Sequence, residues 1–157
     1  MTETQASNIR KWYDALMSGK YKQVRGRLRR RLKGGGYGYC CLGVACKVLG
    51  VRMDGREFLP IKATEALFSD MNRDKCDPFL SVNGELRRAS CLNDYGANGG
   101  KPLNFKQIAA AIKGTYKKAW SKRFLHKSPI IYPSGHYNPV ALDDVYYAGQ
   151  DYTGQED

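Results

Sequence analysis

The chain has no apolar run approaching the roughly 18 residues a membrane-spanning helix needs. Its polar start, Met1-Thr2-Glu3-Thr4-Gln5, is not that of a secretory signal peptide. A span is thereby excluded, no membrane partner is expected, and a cytoplasmic setting follows. Histidine is scarce: His126 and His136 are the two, and they are not spaced like a zinc ligand set. No C-x-x-C pair occurs, and five cysteines, an odd number, cannot complete a disulfide framework within one chain. Cys40, Cys41 and Cys46 crowd one apolar stretch while Cys76 and Cys91 stand apart. Buried thiols in a reducing compartment are the economical reading, with no metal and no cofactor. G-x-x-x-x-G-K-[ST] is missing, so nucleotide hydrolysis by a P-loop has no support. Nor is there a helix-turn-helix or zinc-finger signature. Acid is the last scarcity. Of 157 residues, 26 are Lys or Arg and only 15 Asp or Glu, a net +11 that points to an anionic partner.

What is present suits a globular protein: 42% hydrophobic and 26% charged residues over a length that favours one domain. Ile9, Trp12, Tyr13 and Leu16 recur at helical spacing, with Ser7 as the expected cap and Gly19 as a left-handed stop. Cys40 to Leu49 is apolar nearly all round, which predicts a buried central helix ended by Gly50. Leu59-Pro60 opens a short helix carrying Ile61, Ala63, Ala66, Leu67 and Phe68. Phe79 to Arg87 reads as a hairpin, because Asn83-Gly84 supplies the two positive φ angles of a type I′ turn. Leu92 to Gly96, with Asn98-Gly99-Gly100, reads as a turn-rich loop. Asn104 and Gln107 form a capping box for a helix with Phe105, Ile108, Ala109 and Ile112 inward. Gly114 either ends that helix or weakens it. These elements make a mainly helical α+β domain, three or four helices around the cysteine helix with one small hairpin.

Residues 1–142 are assigned to that domain and 143–157 to an acidic, tyrosine-containing tail. Asp143, Asp144, Asp151, Glu156 and Asp157 stand there without a Lys or Arg. Without those five, 26 cations face 10 acids, so the domain carries +16. The tail either folds back on the basic surface as a mimic of the ligand or is simply solvated.

The strongest functional signal is Arg25 to Lys33, where six of nine residues are cationic. Gly34, Gly35, Gly36 and Gly38 follow, interrupted by Tyr37 and ended by Tyr39. Cations beside glycine-rich backbone can surround a phosphate, and exposed tyrosines can stack on a base. Lys22, Arg25, Arg27, Arg29, Arg30 and Arg31 are therefore candidate phosphate partners, and Tyr37 and Tyr39 candidate stacking groups. The positive end of the cysteine helix would add to the attraction. Asn93 and Asp94 complete the set: Asp94 would accept from a base edge or ribose hydroxyl and Asn93 donate, unless both serve local turns. Non-catalytic binding of a small, phosphate-bearing nucleotide is the expected function. A homo-oligomer enclosing the ligand between two copies would strengthen it. The alternative is a long nucleic acid on a stripe that adds Lys106, Lys113, Lys117 and Lys118.

Trp12, Ala15-Leu16, Gly19, Tyr21 and Gln23 resemble the opening W-x-x-A-L-x-S-G-x-Y-x-Q of small proteins encoded by bacteriophages and prophages. Tyr39-Cys40-Cys41-Leu42-Gly43-Val44-Ala45-Cys46 resembles their Y-C-C-L-G-V-x-C helix. Leu59-Pro60, Leu92-Asn93-Asp94 with Gly96, and Phe105 to Ile112 are similar to their remaining landmarks. The resemblance runs over residues 12–112 and does not extend to Arg25–Lys33 or to the chain beyond about residue 115. It implies a protein acting in the cytoplasm of an infected bacterium, where sequestering a cyclic nucleotide signal of antiviral defence would be a purpose. Ser134-Gly135-His136-Tyr137-Asn138 looks like the H-Y-N ending of ovarian-tumour-type cysteine proteases. That likeness implies a hydrolase with Cys40 or Cys41 as nucleophile, His136 as base and Asn138 or Asp143 orienting it. Lys22, Arg25 and His136 would be the corresponding set for a metal-independent phosphodiesterase. Packing cysteines are the plainer alternative.

Overall fold

Thr2 begins the first helix. Its hydroxyl accepts from Gln5 N at 3.2 Å while Gln5 Oε1 accepts from Thr2 N at 2.8 Å, a reciprocal capping box. Helix α1 therefore runs Glu3–Met17, and Ser7, the expected cap, lies inside it. The computed structural model describes residues 1–53, 59–67, 77–97 and 100–125. After α1 come β1 (Arg29–Arg31), β2 (Tyr37–Tyr39), α2 (Cys41–Val48) and α3 (Ile61–Leu67). They are followed by β3 (Phe79–Val82), β4 (Glu85–Arg88), α4 (Ala89–Asp94) and α5 (Phe105–Thr115). A 3-10 turn (Lys117–Trp120) and α6 (Lys122–Leu125) complete the described chain. The architecture is α+β: helices around one core, with two separate two-stranded antiparallel sheets, β1–β2 and β3–β4.

The buried face of α1 carries Ile9, Trp12 and Leu16, as the spacing predicts, and Gly19 takes the left-handed conformation with φ 70°. This helix, rather than the cysteine helix, is the hub, since α2, α3, α5, the 3-10 turn and α6 all pack on it. Polar side chains bind the neighbours to it, Asn8 Nδ2 donating to the Ala66 carbonyl of α3 at 2.9 Å. Trp12 Nε1 donates to the Cys41 carbonyl at 2.8 Å, and the buried Arg10 guanidinium donates to the Ala119 and Phe124 carbonyls. Within α2, residues Cys41 to Cys46 are all buried. Gly43 is required there, because a Cβ would collide with the Leu28 carbonyl.

Asn104 and Gln107 form the expected capping box of α5. Its buried residues include Phe105, Ile108, Ala109 and Ile112, and the helix passes through Gly114 to Thr115. Asn83 and Gly84 turn β3 into β4 with φ 53° and 81°, the type I′ pattern. Two expectations are corrected. A second hairpin, β1–β2, occupies the arginine and glycine segment. Leu92 to Asp94 belong to a helix rather than a loop, because the Asp77 carboxylate accepts from Ser90 N and Ser90 Oγ at the start of α4. Residues 126–157, including the 142/143 boundary and His126, His136, Asn138 and Asp143, lie outside the described residues, as do Phe68 and Cys76. Among the described residues no helix is long and apolar enough to cross a membrane.

Candidate functional site

Between Asp14 and Asp54 the chain carries ten Lys or Arg and no acid. The middle of that stretch folds as the β1–β2 hairpin. Its loop closes by Leu32 N donating to Gly36 O at 3.1 Å and Gly35 N to Leu32 O at 3.1 Å. Gly35 and Gly36 sit at φ 88° and 73°, a region that side chains other than glycine's make costly. Strand pairing sets Arg29 opposite Tyr39, Arg30 opposite Gly38 and Arg31 opposite Tyr37. Arg29, Arg31, Tyr37 and Tyr39 thus share one face of the ribbon, and Arg30 points from the other.

The root of this hairpin is clamped. Tyr39 N donates to Lys22 O at 2.8 Å and Val24 N to Tyr39 O at 2.9 Å, so β2 lies between β1 and residues 22–24. Gly38 is buried at that crossing, where a Cβ would run into Val24. Leu28 anchors the other strand: it is buried, and its carbonyl accepts from Cys40 N at 3.2 Å.

Asn93 holds these pieces together from within. It is fully buried, and its Oδ1 accepts from Gln23 Nε2 at 2.9 Å and from Cys41 N at 3.3 Å. Its Nδ2 donates to Val24 O at 3.0 Å and to Asp94 Oδ1 at 2.7 Å. Asp94 Oδ1 accepts in turn from Gly26 N at 3.1 Å, between Arg25 and Arg27. Gln23 spends a second bond on Leu103 O at 2.9 Å. Asn93 and Asp94 therefore fasten the arginine segment to α4, and the geometry gives the fully buried Asn93 a positioning role rather than a direct hold on a ligand, while the half-buried Asp94 fastens through Oδ1. Gln23 escaped sequence reasoning, since nothing local marks a partner 70 residues away.

The cations themselves face outward. Lys22, Arg25, Arg27, Arg29, Arg30 and Arg31 are all exposed, and none has an ion pair among the described residues. Arg30 Nη2 donates to Arg25 O at 3.0 Å. Arg29 lies 4.6 Å over the ring of Tyr37, which is 49% exposed, in a cation–π stack. Tyr39 is half-buried, edge-on to Tyr21 at 5.8 Å. Arg29 also reaches a shallow groove of about 530 Å³ with Lys47 and Arg52, floored by Cys46, Gly50, Val51 and Met53. Lys106, Lys113, Lys117 and Lys118 sit on α5 and the 3-10 turn, elements that pack on α1.

One further expectation changes here, and one alternative loses its support. The first-turn amides of α2 are not offered to the glycine loop: Cys41 N is taken by Asn93, and Cys40 Sγ accepts from Gly43 N at 3.4 Å. Nor is either thiol activated by the helix end. Burial pushes Cys40 from 9.0 up to about 11 and Cys46 to about 12. Cys41, whose Sγ donates to Ala89 O at 3.4 Å, is raised well above the ordinary range, again by burial. Desolvation outweighs the helix dipole here, and a neutral, enclosed thiol is a poor nucleophile. Among the described residues no three His, Cys, Asp or Glu side chains gather as a metal site.

Residues 6–78 match a family described as a domain of unknown function, DUF8296. The match covers a little under half of the chain, spanning α1 to α3 with the arginine hairpin and ending just before β3. No curated protein and no solved structure matches the chain.

Proposed function

We propose that the protein binds nucleic acid, with the β1–β2 hairpin and the loop before it as its phosphate-contacting element. The observation that carries this reading is the exposure of Arg25, Arg27, Arg29, Arg30 and Arg31 along a clamped ribbon without ion pairs among the described residues. Cations strung along a ribbon match a repeating phosphate backbone, whose condensed counterions are released on binding. Guanidinium forks suit phosphate oxygens better than ammonium groups do. The fixed root means little conformational freedom is lost when the ligand docks. The test is retardation of labelled DNA and RNA oligonucleotides over a salt series. Binding at low salt that weakens steeply and linearly on a log–log plot is expected. No retardation at the lowest salt would overturn the reading.

A second reading rests on the groove where Arg29, Lys47 and Arg52 meet beside Tyr37. Three cations from two parts of the chain suit a compact phosphate-bearing nucleotide, with the Tyr37 ring available to its base. Sequestration of a cyclic nucleotide signal is the purpose the phage resemblance would lend it, and a second copy would close the open side. A cyclic dinucleotide or ADP-ribose derivative would then raise the melting temperature, as the first reading does not require. Hydrolysis through Cys40 or Cys41 draws no support from thiols held this far from ionisation.

A further inference from the structure

The outer face of the second hairpin carries two large exposed apolar side chains, where a solvated sheet face is ordinarily polar. The register sets Phe79 opposite Arg88 and Ser81 opposite Leu86 on one face, while Leu80 on the other is buried in the core. Phe79 is 42% exposed, Leu86 64% and Tyr95, at the end of α4, 68%. Together with Arg87, Arg88, Cys91 and Gly96 they line a shallow groove of about 480 Å³. The Arg88 guanidinium lies 5.5 Å from the Phe79 ring centroid. The backbone that carries Tyr95 is fixed. The N–H of Tyr95 and that of Gly96 both donate to Cys91 O, at 2.8 and 2.9 Å, and Gly96 at φ 76° abuts the Lys101 carbonyl too closely for any side chain.

One lining residue of the groove is linked through its chain neighbour to the arginine segment. Tyr95 follows Asp94, the residue whose carboxylate holds Gly26 between Arg25 and Arg27. An occupant must therefore offer flat apolar surface to Phe79 and Tyr95 and negative charge to Arg88, Arg87 being paired with Glu85 at 2.7 Å. Stacked duplex hides its base faces; a single strand exposes base faces and phosphates at alternate positions. We propose that this groove is a base-stacking platform, and that the ligand is single-stranded nucleic acid whose phosphates continue onto Arg25 and Arg27. This rests on the nucleic-acid reading above and adds strandedness to it. An aromatic face beside a guanidinium tolerates any base, so little sequence preference is expected.

The full-length chain is titrated with three fluorescent ligands of equal phosphate number: an oligo-dT strand, an abasic strand and a blunt duplex. Oligo-dT should bind the most tightly. Tyr95→Ala should weaken oligo-dT binding about tenfold and abasic binding hardly at all, with the salt slope unchanged. Leu86→Ala, on a different element, should give a smaller loss, and Tyr95→Phe should restore binding. Both positions are exposed, so the variants should melt with the wild type. Equal affinity for oligo-dT and the abasic strand, or unchanged oligo-dT binding by Tyr95→Ala, would sink the platform and leave the arginine hairpin's function standing. A Tyr95→Ala variant that alters the sedimenting species while oligo-dT affinity stays put would mark the groove as a contact between copies and also overturn it. If the wild type binds none of the three ligands, both readings fall.

Discussion

The two hairpins of this protein are built by opposite means. Asn83 and Gly84 fold β3–β4 from within the turn, and both strands are neighbours in sequence. The β1–β2 hairpin has strands of three residues, three consecutive arginines in one of them, and a loop of glycines that specifies no turn strongly. What holds it is distant: Asn93, Asp94 and Leu103 from beyond position 90, and Leu28 against Gly43 of α2. A cation-rich ribbon repels itself and gains little by local packing, so its support has to come from the core beneath it. One hairpin is thus closed by its own turn, with Thr115 Oγ1 of α5 accepting from Ser81 N at 2.8 Å beneath it, and offers Phe79 and Leu86 outward; the other is an imposed element offering charge.

Substitutions at the two supports separate these modes, and the largest effects should fall on the imposed one. Gly43→Ala drives a methyl into the Leu28 carbonyl and should cost roughly 3 kcal/mol or more in urea unfolding, since both groups are buried backbone. Asn93→Ala removes the partner of Gln23, of Cys41 N and of Val24 O, and should cost about 3 kcal/mol. In that variant, amide exchange at Tyr39 and Val24 should accelerate well beyond exchange at Leu80 and Arg87. Equal acceleration in both hairpins would break the distinction. Asn83→Ala, which asks alanine to adopt φ 53°, should cost only about 1 kcal/mol and leave β1–β2 untouched.

Between these lies a pH effect at the junction of β2 and α2. Cys40, Cys41 and Cys46 are held neutral by burial, with Cys40 raised from 9.0 to about 11. An unfolded chain ionises these thiols first, so its proton count drops before that of the folded state. Stability should hold below about pH 9 and fall as pH rises toward 11, where the folded thiol begins to titrate. Cys40→Ser should flatten part of that decline in thermal melts taken across this range. A melting temperature that does not change between about pH 8 and about pH 10.5 would contradict burial as the cause.

How much of this could be read from residues alone follows the same division. The inward face of α1, the all-round apolar α2, the Asn104–Gln107 box and the Asn83-Gly84 turn are written within a few residues of where they act. The cap at Thr2 was written there too, as T-x-x-Q, but the apolar run that draws the eye begins later, at Ile9. β1 has no alternation to announce it, and α4 looks like a turn until Asp77 supplies its missing acceptor. The candidate cations were legible as composition. Their outward exposure, and the interior position of Asn93, depend on contacts some 70 residues apart, which no short pattern records. The groove of Phe79, Leu86 and Tyr95 is equally hidden, although the Asn83-Gly84 turn marks its strand pairing: only burial of Leu80 decides which face of the hairpin looks out.

The most direct measurement compares the wild type with Arg29→Ala/Arg30→Ala/Arg31→Ala in oligonucleotide titrations across a salt series. Because the three side chains are exposed and support no buried contact, the variant should keep the wild-type melting temperature. Its log–log slope should be shallower by about 2, three lost phosphate contacts on a single strand, with affinity at low salt reduced on the order of a hundredfold. Superimposable titrations of the two proteins would show that the arginine hairpin does not contact phosphate.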